Sequence, residues 1–379
     1  MHTGLVLSGG GARGAYQVGA LLGLAEILPD ARELPFPILA GASAGSITNA
    51  FLASHADEFS SAVQRLVDFW SQLRPHDVFR TDPVTLLRVA AEWAADLSLG
   101  GLTEGARQRS LLVTEPLREL LGGRLDMDAV RRNVDQGRVR GIALTATNYR
   151  TNLAVTFFDG VDEIRPWGRS TRIGMRARLT VDHVMASSAI PIFFPAVRIG
   201  EKYFADGCVR LTTPLSPAVH LGADRILAIG VRCPQSPDPK EASPSDGDEP
   251  YPTLAETAGL LLNALFLEAL ESDVERFERI NHTVSLVPPE AMQHESSPLR
   301  SIPLFVLRPS RDLGVLATGA LGRLPHIVQH LFRGLGATDE TGADLLSYLA
   351  FDGEYTSKLL GLGYSDVMAQ KDELLAFLS

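Results

Sequence analysis

Ser43 stands in Gly41-Ala42-Ser43-Ala44-Gly45, a G-x-S-x-G pattern placed where the apolar run Phe36–Ala42 gives way to the helix-forming Ala44–His55. A sharp strand-to-helix turn strains the backbone of its central residue and lifts the side chain clear, and only small neighbours avoid clashing there. A helix beginning at Ala44 would also point its positive end at the hydroxyl. Both features suit a nucleophile. Upstream, Gly9-Gly10-Gly11-Ala12-Arg13-Gly14 follows the strand-like Leu5–Ser8 and opens an apolar helix, Ala15–Leu28. This matches G-x-G-x-x-G, so a dinucleotide-binding module is one reading. That fold, however, needs a carboxylate about 20 residues on, at the end of its second strand, and here the second strand ends in Leu39-Ala40-Gly41-Ala42-Ser43. The same loop can serve a different anion, because exposed backbone N–H groups at a helix start also stabilise an oxyanion. Arg13 could orient the loop, meet an anionic group or form a structural ion pair.

The order of these motifs separates the chain from ordinary α/β-hydrolases, in which the oxyanion loop follows a third strand and an acid and a histidine come later. The combination resembles the patatin-like phospholipase family, whose pattern is G-G-G-x-[KR]-G, then G-x-S-x-G, then a distant Asp-Gly-Gly or Asp-Gly-Ala. The third element is Ala205-Asp206-Gly207-Cys208, with cysteine in place of the usual glycine or alanine. Further matching segments are Ala186-Ser187-Ser188-Ala189-Ile190-Pro191, Thr212-Thr213-Pro214-Leu215-Ser216-Pro217-Ala218, where the family often begins with asparagine, and Arg308–Gly314. The resemblance covers about Gly4 to Val231. It implies a three-layer αβα fold with a mainly parallel central sheet and a C-terminal helical extension. It also implies a Ser-Asp dyad, Ser43 as nucleophile and Asp206 as base. Gly9, Gly10, Gly11, Ala12, Arg13 and Gly14 would then form the oxyanion hole, with Gly41 and Gly45 framing the elbow and Gly207 and Cys208 completing the dyad motif. The implied substrate is a lipid acyl ester of the phospholipase A or lysophospholipase type, with no cofactor. A soluble carboxylesterase or thioesterase and the nucleotide-binding module stay as alternatives.

The rest of the sequence bounds these readings. A chain of 379 residues with 45% apolar and 21% charged residues can bury an active site, and it contains no apolar run of the roughly 18 to 20 residues that span a bilayer. Met1–Ser8 shows no secretory pattern, so the expected compartment is cytoplasmic, with peripheral membrane contact open. Two cysteines, Cys208 and Cys233, leave neither a disulfide scaffold nor an all-cysteine zinc site. A net charge of −10 argues against nucleic acid as a partner. The nine histidines include no H-E-x-x-H, and Asp159 and Asp162 lack calcium-loop spacing, so no metal is expected. Homo-oligomer formation is open.

The elements that must position these residues follow from periodicity. Residues 1–55 read as βαβα, the mark of a parallel sheet. Glu58–Gly123 is helical in period, with Phe59, Ala62, Leu66, Phe69 and Leu73 on one face and Val84–Leu99 as a hydrophobic wall, a lid or plain core. Strands return at Val139–Thr147, Leu153–Phe158 and Arg225–Val231, with a helix at Val181–Ala189 and a hairpin turning at Gly200. The domains expected are a catalytic domain over residues 1–231, a polar flexible linker over 232–253 and a mostly helical segment over 254–379 packed on the core. That last segment is read as a long helix Leu254–Ile280 followed by strands Thr283–Val287 and Leu304–Leu307. Arg165, Arg169, Arg172, Arg176 and Arg178 make a dense basic segment, suited to lipid phosphates, to an anionic regulator or to a solvated loop with structural ion pairs.

Overall fold

Strands covered on both faces need apolar residues without alternation, and Thr3–Leu7 (β1) and Ile38–Ala42 (β2) are buried at every position. A computed structural model describes residues 1–99, 110–234, 251–288, 299–338 and 341–379. After β1 come α1 (Gly14–Ile27), β2 and α2 (Ala44–Ser54), then the helical stretch α3 (Phe59–Gln72), α4 (Pro75–Val78), α5 (Pro83–Leu99), α6 (Glu115–Arg124) and α7 (Met127–Asp135). Next are β3 (Gly141–Asn148), β4 (Ala154–Gly160), β5 (Trp167–Gly168), β6 (Arg172–Arg176), α8 (Val181–Ser187), the hairpin β7 (Val197–Ile199) and β8 (Lys202–Asp206), α9 (Ser216–His220) and β9 (Arg225–Ile229). The chain continues through α10 (Leu254–Phe266), α11 (Glu268–Leu286), β10 (Leu304–Leu307), α12 (His326–Gly334), α13 (Ala343–Leu349), α14 (Gly353–Ala369) and α15 (Lys371–Leu378).

Among the described residues the strands form one sheet in the order β10-β9-β1-β2-β3-β4-β6-β5, with β8 attached to β3 and β7 to β8. The run from β10 to β3 is parallel throughout. Helices cover both faces, giving three layers. Leu5, Leu7, Leu39, Ile142 and Leu144 belong to one core, and Val6, Ile38, Ala40 and Ala143 to the other, as the period of two requires. No helix among the described residues is long and apolar enough to cross a membrane.

Two expectations for the later segments of the chain are corrected. The helix expected over Leu254–Ile280 is broken at Leu267, because Ala255, Leu262 and Phe266 pack into one core and Leu270 and Val274 into the other. The break carries the chain round the end of the sheet. The strand expected at Thr283–Val287 is instead the end of α11, which the Asn281 side chain fixes by donating to Ile302 O at 2.8 Å and accepting from Ile302 N–H at 3.1 Å. Most of the linker expected over 232–253, residues 235–250, lies outside the described residues. Leu304–Leu307 is a strand as expected, and as β10 it extends the sheet beside β9.

The later helices also pack directly on the first one. Tyr16 on α1 donates to Asp366 on α14 at 3.0 Å, and the two backbones approach so closely that a Cβ at Gly363 would sit 2.1 Å from Tyr16 O. Gly361, on the same helix, is exposed and would meet nothing within 4 Å. Gly363→Ala should therefore destabilise the protein by roughly 1–3 kcal/mol through overpacking. Gly361→Ala should be neutral or stabilising by up to about 1 kcal/mol through helix propensity. Urea unfolding of the two variants checks this, and equal effects would contradict the close packing.

Candidate active site

The placement of the candidate residues follows from strand register. Along one edge of β3, Thr145 pairs with Ala42 of the parallel β2, and the next residue, Ala146, pairs with Asp206 of the antiparallel β8. The C-terminal ends of β2 and β8 thus abut on a shared neighbour, and Ser43, the residue after Ala42, emerges beside Asp206. On the other side of β2, Leu7 pairs with Gly41, so the glycine loop leaving β1 emerges at the same end of the sheet. Crevices at the carboxyl ends of parallel strands are where such folds hold ligands.

Ser43 has φ 54° and ψ −129°, a left-handed conformation for a residue that is not glycine. Its surroundings hold it there. The Ser43 N–H donates to Ser187 O at 3.0 Å and Ser187 Oγ at 3.1 Å, and Ser188 Oγ donates to Ser43 O at 3.2 Å. The Ala186–Pro191 segment therefore braces the elbow. Gly45 lets α2 press onto β1, since a Cβ there would lie 2.3 Å from Leu7 O, and Gly41 lies against Gly45 and Asn49.

Asp206 is 1% exposed. Its Oδ1 accepts from Cys208 N–H at 2.9 Å, while Oδ2 has no hydrogen-bond partner of ordinary geometry among the described residues. Burial pushes its pKa up to about 6, against the lowering effect of the Ser43 hydroxyl and the Cys208 N–H. The Ser43 hydroxyl thus interacts with this carboxyl but is not in a well-formed hydrogen bond, a looseness usual before substrate binds. Gly207 passes against Thr145 O, where a Cβ would be only 2.1 Å away. Cys208 turns its sulfur toward Gly9, and burial, then the Asp206 charge, keeps it a neutral thiol by raising its pKa well above the usual value.

The glycine loop splits into two roles. Gly9 lies against Ser43, its Cβ direction ending 2.9 Å from Ser43 Cβ, and none of the described backbone hydrogen bonds uses the Gly10 or Gly11 N–H. Gly11 has φ +54° and would place a Cβ 2.2 Å from Tyr348 O, so glycine is required. Ala12 is buried in the turn Gly11–Arg13, and Gly14 starts α1. The Arg13 side chain turns to α13. It is 2% exposed, pairs with Asp344 at 3.0 Å, donates to Ser347 Oγ at 2.7 Å and lies 4.2 Å over the Tyr348 ring. Of the readings open for Arg13, the structural ion pair is the one observed.

An apolar pocket opens from Ser43, lined by Phe69, Trp70, Leu73, Val78, Leu117 and Phe194 among others, with a cavity of about 30 Å³. That is room for one water, not for an acyl chain. The described wall comes from α3, α4, α6 and the loop after α8, and on α5 Val84 and Leu87 stand in solvent. Phe69 and Leu73 were visible in the sequence as one helix face, but core packing and a pocket wall share that signal. On the opposite side Phe266 of α10 reaches Gly9 and stacks on Tyr348 at 5.1 Å, a covering residue that nothing in the local sequence marks. No histidine lines the pocket at Ser43, and no group of three or more His, Cys, Asp or Glu among the described residues is placed to hold a metal. Larger clefts lie elsewhere, one of about 1040 Å³ beside Ser71 and Gln329, and it touches neither Ser43 nor Asp206.

A family model described as patatin-like phospholipase matches residues 5–219. No curated protein matches the chain. Similar solved structures include VipD from Legionella pneumophila (12% identity, TM-score 0.32, covering 95% of this chain and 67% of that one). Human GIVD cytosolic phospholipase A2 in complex with methyl gamma-linolenyl fluorophosphonate is another (15% identity, TM-score 0.46), with 100% of this chain covered and 59% of that one. A third is the ExoU–SpcU complex of the Pseudomonas aeruginosa type III secretion system (16% identity, TM-score 0.28, 98% and 76%).

The raised pKa of Asp206 has a consequence for stability. A carboxyl that holds its proton more tightly folded than unfolded loses stability as pH rises, from near its ordinary value of 3.8 to about 6, and the cost persists above that. Asp206→Asn removes the ionisation. The variant should be more stable than the wild type at pH 8 by on the order of 3 kcal/mol, with the gap closing toward pH 4. Denaturant midpoints at the two pH values measure it, and a variant less stable at both would mean the carboxylate is not under this strain.

Proposed function

The chain belongs to the patatin-like phospholipase family, a family of lipid ester hydrolases, and from that premise we propose that Ser43 and Asp206 form the dyad by which it cleaves acyl esters of lipids. The observation that carries this reading is the abutment of β2 and β8 on β3, which brings a strained serine against a buried carboxylate. With its pKa near 6, Asp206 is mostly ionised at neutral pH yet far more basic than a solvated aspartate.

In the first half-reaction the Ser43 hydroxyl attacks the ester carbonyl carbon and passes its proton to Asp206. The carbonyl oxygen becomes an anion within reach of the Gly10 and Gly11 N–H groups, which need no reorganisation to receive it. Collapse breaks the bond to the leaving alkoxide, which takes the proton from Asp206 and departs as an alcohol or lysolipid. Water then attacks the acyl-Ser43 carbonyl and gives a proton to Asp206, and collapse breaks the bond to Ser43 Oγ, which takes that proton back as the fatty acid departs. The acyl chain would enter between Phe69, Trp70, Leu117 and Phe194, which must separate to admit it. Arg13, in this scheme, positions the loop and does not touch substrate.

Incubation with a serine-directed phosphonate should add one equivalent to the intact mass of the wild type and none to Ser43→Ala. Ser43→Ala should abolish ester hydrolysis, and Asp206→Asn should lower kcat/KM by roughly 100- to 10,000-fold. Each histidine replaced by Gln should leave activity within about tenfold, a change of roughly 1.4 kcal/mol in barrier. Because only the carboxylate form is the base, activity should rise with pH and level off above about 6. A folded histidine variant as inactive as Ser43→Ala would restore a triad and overturn the dyad. A preference for micellar over monomeric esters would support a lipid substrate against a soluble carboxylesterase or thioesterase.

A further inference from the structure

The basic segment between Arg165 and Arg178 divides in the structure. Arg176 spends its donors on Gly160 O, Val161 O and Ile164 O at 2.7 to 2.8 Å, and Arg178 pairs with Asp128 at 2.6 Å, so both are structural. Arg169 and Arg172 instead line a cavity of about 460 Å³ that shares no lining residue with the pocket at Ser43 and whose other walls include Arg276 and Phe277 of α11, Arg300 and His220. Arg300 is committed to Asp224 and Ala223 O, both at 2.7 Å. Among the described residues the Arg169 side chain donates only to the adjacent Gly168 O at 2.9 Å, and Arg276 stands 3.9 Å from Asp273. The Arg172 side chain has no hydrogen bond or ion pair among the described residues, and its Nε is buried without a partner. A second group in the same cavity shares that condition. Thr213 is 3% exposed and its Oγ1 is likewise without a partner. Buried polar groups left so are rare in native proteins and call for something to complete them.

The charges in the cavity do not cancel. Three guanidiniums lacking a close ion pair face one carboxylate, Asp273, which already accepts Leu215 N–H at 3.0 Å and whose pKa burial raises to about 6. Burial, and then the Arg169 and Arg172 charges, depress His220 to about 4, so its imidazole adds no charge and stacks on Trp167. Burial, together with Arg169 and Arg276, also holds Arg172 below its usual value, with Asp273 opposing.

We propose that this cavity binds a phosphate group, presented by a soluble phosphomonoester or by a lipid headgroup, with Arg169 and Arg172 as its cationic arms, Thr213 Oγ1 as a hydrogen-bonding partner and Arg276 on the facing wall. Planar guanidinium forks match phosphate oxygens in pairs, and a hydroxyl can donate to a third. The cavity is larger than one phosphate, and its rim carries the partly exposed Ile280 and Leu299, which leaves space for the group the phosphate is attached to.

The test uses the full chain carrying Ser43→Ala, so that no lipid is consumed. Calorimetric titration with glycerol 3-phosphate at constant ionic strength, with chloride as control, asks about the soluble source. Co-sedimentation with phosphatidylglycerol against phosphatidylcholine vesicles asks about the headgroup. Saturable one-to-one binding in either arm is expected, weakened at least tenfold by Arg172→Gln and severalfold by Thr213→Val, and the arm that responds identifies the source. The Arg172 side chain makes no contact the fold needs, so Arg172→Gln should fold. If it does not, Arg172→Lys, which keeps the charge but loses the fork, should still weaken binding. Absence of binding in both arms, or binding indifferent to the Arg172 and Thr213 substitutions, would overturn the site.

Discussion

One edge of β3 carries two partners in succession, and the site depends on that handover. β2 occupies the edge through Thr145 and β8 from Ala146 onward, running in the opposite sense. A shift of one residue in either pairing would turn side chains to the opposite face and separate the serine from the carboxylate. The pieces around it secure the register: Thr147 Oγ1 donates to Asp206 O at 2.8 Å, Asp206 N–H to Ala189 O at 2.8 Å, and Ser187 Oγ to Thr145 O at 2.5 Å. Ser187, the last residue of α8, therefore ties β3 and the elbow together, and the short segment after it also receives the Asp206 N–H.

The candidate motifs were legible because each is local. Three consecutive glycines, a serine between small residues and an aspartate before glycine can be read within six residues, and the strands that carry them are short apolar runs with clear ends. What escaped reading is what distance in sequence conceals. Thr283, Val284 and Val287 suggest a strand by composition, yet α11 continues to Leu286 because Leu270 and Val274 anchor it and Asn281 holds its end. No glycine or proline marks the break at Leu267, which exists only because the two halves serve different faces of the sheet. Leu304–Leu307 could be recognised as a strand, but its neighbour, β9, could not.

Arg13 shows the same limit and resolves it usefully. A lone arginine in a glycine loop invites a role with substrate, but its guanidinium is sealed under Tyr348 and between Ser347 and Asp344. A buried cation without its partner is costly, so the loop conformation that leaves the Gly10 and Gly11 N–H groups uncommitted is held by residues of α13. Loop geometry near one end of the sequence is thus maintained by packing from near the other.

That arrangement fixes an order of events during folding. Arg13 and Asp344 are 331 residues apart, and contacts across so long a loop form late, since closure entropy must be met before they can stabilise anything. Strand β1 and the glycine loop are made before every helix that steadies them, and the loop has no anchor until α13 has docked and α14 lies on α1. The proposed oxyanion loop therefore leaves the ribosome well ahead of the residues that shape it, and it takes its final form only after they have arrived.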